Sequence, residues 1–316
     1  MPAPSQPAHL RIGTRGSALA LVQAQATEAL LHQAFPHLTI ERVIIRTTGD
    51  RRTDVSLAEV AKAEGVFDKG VFIKELENAL DDGTIDIAVH SLKDLPTVLE
   101  PRFALAAVLE RAPIRDVLVT RSPGGLDSLP AGARVGTSSV RRARQVKFLR
   151  PDLIVTDLRG NVPTRLEKIA SGENHEAILL AEAGLVRLGY LTDDSHEDIR
   201  GMLGLCATRL VEEEFYPAAG QGAIGLETRA DDEESQSIAR AINHAATWLR
   251  ITAERDFLRL LDAGCHTPVG VFSSLENEIL TLKARVFPEH EGLPLTGQST
   301  GSDPIQTALA LFQSLS

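Results

Sequence analysis

The chain has 316 residues, 43% of them hydrophobic, enough for two or three domains of roughly 100–150 residues each. Asp and Glu outnumber Lys and Arg by 43 to 33, a formal charge of −10, which argues against nucleic acid or an anionic membrane as partner, because both demand a basic face. No apolar run is long enough to span a bilayer, Met1–His9 has neither the basic nor the apolar region of a signal peptide, and two cysteines, Cys206 and Cys265, point to a reducing, cytoplasmic setting without a disulfide framework.

Residues 1–8 read as a disordered tail. His9–Thr14 is a short strand, and Ser17–Phe35 an amphipathic helix with Ser17 as N-cap. Thr39–Arg46 alternates like a strand. Residues 49–70 are polar and Gly-containing, a loop. Val71–Leu80 has helical spacing, with Phe72, Leu76, Ala79 and Leu80 on one side, and Asp81-Asp82-Gly83 ends it. Asp86–His90 is a strand running into Ser91-Leu92-Lys93-Asp94-Leu95-Pro96, where the proline stops continuation.

A second series starts near Arg115. Arg134–Gly136, Leu153–Leu158 and Ala177–Ala181 read as strands, with helices Ser139–Leu149, Val162–Ala170 and Glu182–Leu188 between them; Pro163 suits a first helical turn. This alternation predicts mostly parallel sheets, with ligands outside the carboxyl ends of the strands. Ser195–Glu214 is charged and irregular, and Pro217–Glu227 is Gly-rich with a short strand after it. Ala245–Leu261 is a long helix, with Trp248, Ile251, Leu258 and Leu261 roughly on one face. Val269–Leu315 reads as three strands and a final helix, a small α+β domain. No internal repeat or low-complexity tract is visible.

Arginines recur where strands hand over to helices: Arg15, Arg141, Arg142, Arg159 and Arg165. Such turns expose unpaired backbone N–H groups and the positive end of the helix dipole, and a guanidinium adds a fork that matches carboxylate or phosphate. One such arginine is most often a surface ion-pair residue; five near strand ends, in an acidic protein, favour a small polyanion in a pocket. Asp94, just past a buried strand, suits acid–base work or stabilisation of a developing cation, although by position alone a turn aspartate capping local N–H groups is commoner. Cys265 follows a helix beside His266, where a thiol is accessible, yet a free cysteine is usually a small buried hydrophobe. Lys69 and Lys74 flank Phe72 and, by themselves, read as a solvated helix face. Gly220-Gln221-Gly222-Ala223-Ile224-Gly225 fits a dinucleotide fingerprint as a string but lacks the preceding strand and following helix, so a Gly-rich crossing between domains is the better reading and a nicotinamide-dependent dehydrogenase is not supported. The nine histidines have no ligand spacing, and no metal is expected.

Together these segments resemble the hydroxymethylbilane synthase, or porphobilinogen deaminase, family. The matching strings are Gly13-Thr-Arg15-Gly-Ser-Ala-Leu-Ala, Ala88-Val-His-Ser91-Leu-Lys93-Asp94-Leu-Pro, Val135-Gly-Thr137-Ser138-Ser139-Val-Arg141-Arg142, Leu158-Arg159-Gly160-Asn-Val-Pro-Thr-Arg165, Ala219-Gly-Gln221-Gly-Ala and Gly264-Cys265. The resemblance runs from about Leu10 to the C-terminal helix. It implies an α/β fold of two periplasmic-binding-protein-like lobes with a central cleft plus a small C-terminal α+β domain. Lobe 1 would comprise 9–112 and 217–240, lobe 2 113–216, and a cofactor-anchoring domain 241–316. The implied activity joins four porphobilinogen molecules head to tail onto a covalent dipyrromethane cofactor, releases ammonia at each step and hydrolyses the tetrapyrrole off.

By the same resemblance Cys265 anchors the dipyrromethane. Ser91, Lys93, Asp94, Thr137, Ser138, Ser139, Arg141, Arg142 and Gly160 lie beside it. Arg15, Arg159, Arg165, Arg187, Gln221, Phe72 and Lys69 meet the substrate, and Asp94 is catalytic, stabilising the azafulvene cation left when ammonia departs. A cytoplasmic monomer binding porphobilinogen, and neither nucleic acid nor membrane, completes the implication. The stretch Ala61–Phe72 departs from the family's Gly-Gly-Lys-Gly-Leu-Phe: Lys69 and Phe72 align with its lysine and phenylalanine, Val66-Phe67 competes for that alignment, and Glu59 stands where some relatives have lysine. The alternative from another class is a non-catalytic small-anion binding or sensing protein of the same two-lobed fold, which would need neither Cys265 nor Asp94.

Overall fold

The computed structural model describes residues 9–46, 73–172, 174–192, 199, 204–262, 267–288 and 292–315. The expected tail at 1–8 and loop at 49–70 lie outside them. The chain divides into two compact units, Met1–Arg111 with Ala223–Trp248 and Ala112–Gly222 with Leu249–Ser316.

In the first unit β1 (His9–Arg15), β2 (Thr39–Ile45), β3 (Ile87–Ser91), β4 (Phe103–Val108) and β10 (Ile224–Arg229) form one sheet in the order β2-β1-β3-β10-β4. β1 runs parallel to β2 and β3, whereas β10 is antiparallel to both β3 and β4. Four strands therefore share a direction and β10 alone opposes them. Ile87, Ala88 and Val89 are buried in succession, as a strand covered on both faces requires. On one face Leu10, Ile12, Val89 and Leu226 pack with Leu31 of α1 (Ala18–Ala34) and Ile238 of α6 (Glu233–Arg240). On the other, Ala88 and Phe103 pack with Leu76 and Leu80 of α2 (Lys74–Asp81). Ser17 caps α1 as expected, its Oγ accepting from Ala20 N at 3.3 Å.

The second unit holds β5 (Asp116–Thr120), β6 (Arg134–Gly136), β7 (Ile154–Thr156), β8 (Ala177–Ala181) and β9 (Cys206–Arg209) in the order β7-β6-β8-β5-β9. Here β6 is parallel to β7 and β8, while β5 is antiparallel to β8 and β9. Val117 and Val119 enter one core with Leu166 and Ile169 of α4 (Val162–Ala170), and Leu118 enters another with Val146 of α3 (Val140–Leu149) and Phe215. A short α5 (Glu182–Arg187) follows β8. The rest of the unit is an antiparallel meander, β11 (Val269–Glu276), β12 (Ile279–Val286) and β13 (Leu295–Gly301), whose core includes Phe257 of α7 (Ala245–Leu260) and Leu311 of α8 (Pro304–Ser314).

The expectation of mostly parallel sheets holds for four strands in each five-stranded sheet and fails for the fifth. The reversed strand is in both cases the first regular strand after the chain changes unit, β5 after Arg111 and β10 after Gly222. At that crossing Ala112 N donates to Gly222 O at 3.1 Å, and Gly222 has a φ of +86° with Ala112 O only 2.4 Å from where a Cβ would stand. Only glycine fits. The Gly-rich run is thus a crossing that leads into a strand, with no helix of a dinucleotide fold after it.

Glu77 of α2 looks onto the face of the sheet that carries His90 and Glu227. Burial first, then the charges of Glu227 and Glu100, push its carboxyl up to about 7, with His90 and Arg102 acting the other way. A carboxyl raised from 4.5 holds its proton in the folded state where the unfolded chain has lost it, so its contribution to stability is complete below about pH 4.5 and is lost as pH rises through about 7. Glu77→Gln should therefore lose less of its melting temperature than the wild type between about pH 5 and about pH 8. Parallel slopes in thermal melts would contradict this.

Candidate active site

The described residues expected at the site, Gln221 aside, follow the carboxyl ends of the parallel strands in each unit. In the first unit β1 ends on Arg15, half-buried, and the neighbouring β3 ends on Ser91 before a single turn of 3-10 helix, Leu92–Asp94. Ser91 is held by Gln23 of α1, whose Nε2 donates to Ser91 Oγ at 2.8 Å while Ser91 Oγ lies 3.1 Å from Gln23 Oε1. Leu92 N donates to Ala223 O at 3.0 Å and Leu95 N to Leu92 O at 3.1 Å. Lys93 and Asp94 are half-buried on this turn. The commoner fate of a turn aspartate, capping local N–H groups, is not seen: Asp94 makes no hydrogen bond or ion pair among the described residues.

In the second unit three strand ends contribute. After β6, Thr137 N donates to Thr156 O at 2.9 Å, Ser138 Oγ donates to Leu158 O at 2.6 Å, and Ser139 caps α3, its Oγ accepting from Arg142 N at 3.5 Å. After β7, Gly160 takes a φ of +115°, where a Cβ would press on Thr164 at 2.9 Å. Arg165 Nε donates to Gly160 O at 2.7 Å, and Asn161 caps α4. After β8, Arg187 Nη2 donates to Gly222 O at 2.7 Å; burial lowers its guanidinium to about 10, so it remains cationic at neutral pH.

Arg141 and Arg142 are both buried on Asp116, the first residue of β5. Arg141 Nη1 reaches Oδ2 at 2.7 Å, and Arg142 Nε and Nη2 reach Oδ1 at 2.8 and 2.6 Å. Burial alone would push the Asp116 carboxyl up, but the two guanidiniums outweigh it and hold it far below the ordinary carboxylate value. Gln221, fully buried, donates from Nε2 to Ile114 O at 2.7 Å and to Asp116 Oδ1 at 3.2 Å. Its amide therefore serves the start of β5. Sequence reasoning missed Asp116; a lone acid opening an apolar run, Asp116-Val-Leu-Val, was the available signal.

Two cations against one anion leave this buried cluster short of negative charge. Arg141 Nε and Arg159 Nη1 are moreover buried without a hydrogen-bond partner among the described residues. Buried donors demand acceptors, so these strand ends fit a polycarboxylate such as a pyrrole-based cofactor bearing acetate and propionate arms. Among the described residues no group of His, Cys, Asp and Glu could hold a metal ion. Cys265, Lys69 and Phe72 lie outside the described residues. No described helix is long and apolar enough to cross a membrane.

Comparison with known proteins agrees with this chemistry. The family model described as "Porphobilinogen deaminase, dipyromethane cofactor binding domain" matches residues 10–237, and "Porphobilinogen deaminase, C-terminal domain" matches 248–316. A porphobilinogen deaminase of Roseiflexus sp. is 44% identical over 97% of this chain and 95% of its own length, and one of Syntrophobacter fumaroxidans 41% identical over 94% and 90%. Among solved structures the methionine-binding protein MetQ aligns with 78% of this chain and 94% of its own at 12% identity, with a TM-score of 0.46.

Asp116→Asn keeps the volume and removes the charge that two buried arginines share. Breaking a buried ion pair from one side costs about 3–5 kcal/mol, and chemical denaturation should show a loss of about that size; a change below about 1 kcal/mol would mean that the arginines do not depend on Asp116.

Proposed function

The chain belongs to the porphobilinogen deaminase family, and from that premise we propose how its residues carry the hydroxymethylbilane synthase reaction. The reaction is the stepwise head-to-tail condensation of four porphobilinogen molecules, with ammonia released at each addition and hydroxymethylbilane freed by hydrolysis. The enzyme is a transferase of porphyrin and heme biosynthesis. The near-full-length match to relatives named as enzymes disfavours the non-catalytic anion-binding alternative.

The buried donors Arg141 Nε and Arg159 Nη1, without an acceptor among the described residues, carry the residue assignment. Bound dipyrromethane supplies a resident pyrrole terminus to which new units are joined. We assign its carboxylate arms to Arg141, Arg142, Lys93 and the donors of Thr137, Ser138 and Ser139, with Ser91 and the glycine-permitted turn at Gly160 alongside. Cys265 Sγ, as thiolate, is the nucleophile that would attach it. Arg15, Arg159, Arg165 and Arg187 take the acetate and propionate of incoming porphobilinogen through bidentate, charge-assisted bonds, with Lys69 and Phe72 contributed by the 49–70 region and its flank. Gln221 acts one step removed, by holding the start of β5.

Asp94 does the chemistry. Its carboxylate accepts a pyrrole N–H, faces the positive charge that develops on the substrate as ammonia leaves, and takes the proton released from the attacked pyrrole carbon. Lys93 beside it keeps the turn attractive to anionic arms without neutralising that carboxylate. The net charge of −10 supports a small substrate and neither nucleic acid nor membrane as partner, the two cysteines support a reducing, cytoplasmic setting, and we read the enzyme as a monomer. Residues 9–112 and 217–240 would form lobe 1, 113–216 lobe 2, and 241–316 the part that carries the anchor.

Asp94→Ala should lower porphobilinogen consumption by on the order of 10²-fold or more while circular dichroism stays native; near-normal turnover would remove Asp94 from the mechanism. Intact-mass measurement of the denatured protein should show an excess of two linked pyrrole units, absent in Cys265→Ser. Retention of that mass in the variant would move the anchor elsewhere, with Cys206 the only other thiol.

A further inference from the structure

β3 ends with two residues that are pinned on opposite faces of the sheet, since successive side chains of a strand alternate. Ser91 points to the α1 side and meets Gln23, buried at 3% exposure. His90 points to the α2 side and meets Glu227 of β10, with His90 Nε2 2.9 Å from Glu227 Oε2 and side-chain exposures of 4% and 0%. The register sets Gly225 against His90 and Ile224 against Ser91. Past the strand, Leu92 N bonds Ala223 O, the residue just before β10, and Gly225 of β10 leaves room for its side chain: a Cβ there would stand 2.8 Å from Leu92 Cδ1. The turn with Lys93 and Asp94 is therefore laid out on β10, and His90 is the last side chain to fix β3 on that strand.

The pair is poorly explained by packing. Glu227 Oε1 is buried with no hydrogen-bond partner among the described residues, a costly arrangement. Two apolar side chains of similar volume would hold the strands at least as well. What a directional bond adds is angle and register, two residues before the turn, and small misplacements of a reacting group are expensive in rate.

We propose that His90 and Glu227 are positioning residues for the Lys93–Asp94 turn, a role that rests on the assignment of Asp94 above. The pair fixes the direction in which β3 delivers the turn, so that the Asp94 carboxylate meets the reacting pyrrole without searching.

The test uses the holoenzyme and three variants, His90→Phe, His90→Gln and Glu227→Gln, with kcat, KM for porphobilinogen, and hydrogen exchange of the peptide holding the Leu92 and Leu95 amides. His90→Phe should lower kcat by about tenfold, leave KM within about twofold and speed exchange of those amides by about tenfold. His90→Gln, which retains a donor toward Glu227, should recover kcat to within about threefold of wild type. Should His90→Phe not fold, Glu227→Gln, nearly isosteric, decides by the same kcat loss at constant KM. Wild-type kcat and exchange in a folded His90→Phe or Glu227→Gln would overturn the proposal, as would equal losses in His90→Gln and His90→Phe, which would reduce His90 to a space-filler. Wild-type protein that consumes no porphobilinogen would sink the enzymatic reading instead, and the exchange data would still decide whether the pair orders the turn.

Discussion

The carboxylate of Asp116 accepts from Arg141, Arg142 and Gln221, which reach it from a helix and a crossing loop distant in sequence. Because Asp116 opens β5, the reversed strand of its sheet, these bonds tie the entry of the chain into the second unit to the cation-rich end of that unit. Arg141 also donates to Tyr216 O at 2.6 Å, and Gln145 bonds Tyr216 through both N and O. The stretch that leads back out of the unit is thus held by the same helix that supplies the two arginines buried on Asp116. An excess of buried positive charge is tolerable only where an anion completes it. That single constraint links strand order, the exit of the chain and the appetite for a polycarboxylate.

The two five-stranded sheets repeat one plan. In each, three parallel strands in the order second, first, third are followed by a reversed strand and then a further parallel one. No sequence periodicity reports this likeness, because what recurs is connectivity and not residue type. The plan sends the carboxyl ends of the parallel strands to one edge of each sheet, and every described residue assigned to cofactor or substrate, Gln221 aside, sits on such an edge.

Much of this was legible in the residues, and the gaps have physical reasons. β6, β8 and α4 have the bounds that their patterns indicate, since short apolar runs framed by Gly, Pro and cap residues leave little freedom. β4 was not legible: Phe-Ala-Leu-Ala-Ala-Val has no alternation. β9 was hidden in a charged stretch because only four residues of it pair. Direction was the least visible property, for hydrophobic pattern does not distinguish a strand that enters a sheet from one that runs with it. At the site, strand-end arginines announced a polyanion, but their partner Asp116 did not announce itself, because a single buried acid has no period. Ser91, Lys93 and Asp94 could be named from their string; the support given to them by Gln23, Glu227 and Ala223 is tertiary and had no local trace.

The interleaved path of the chain also bears on how the protein is made. β4 leaves the ribosome well before β10, and until Ala112–Gly222 has been synthesised the edge of β3 that will meet β10, and the facing edge of β4, have no neighbour. Unpaired edges of this kind are templates for intermolecular association, and pairing that must wait for distant chain is slow. The first unit cannot finish folding as a vectorial product of its own first segment. Its nascent form must stay soluble while another unit is built, which makes translation speed and chaperone occupancy part of what determines the yield of native protein.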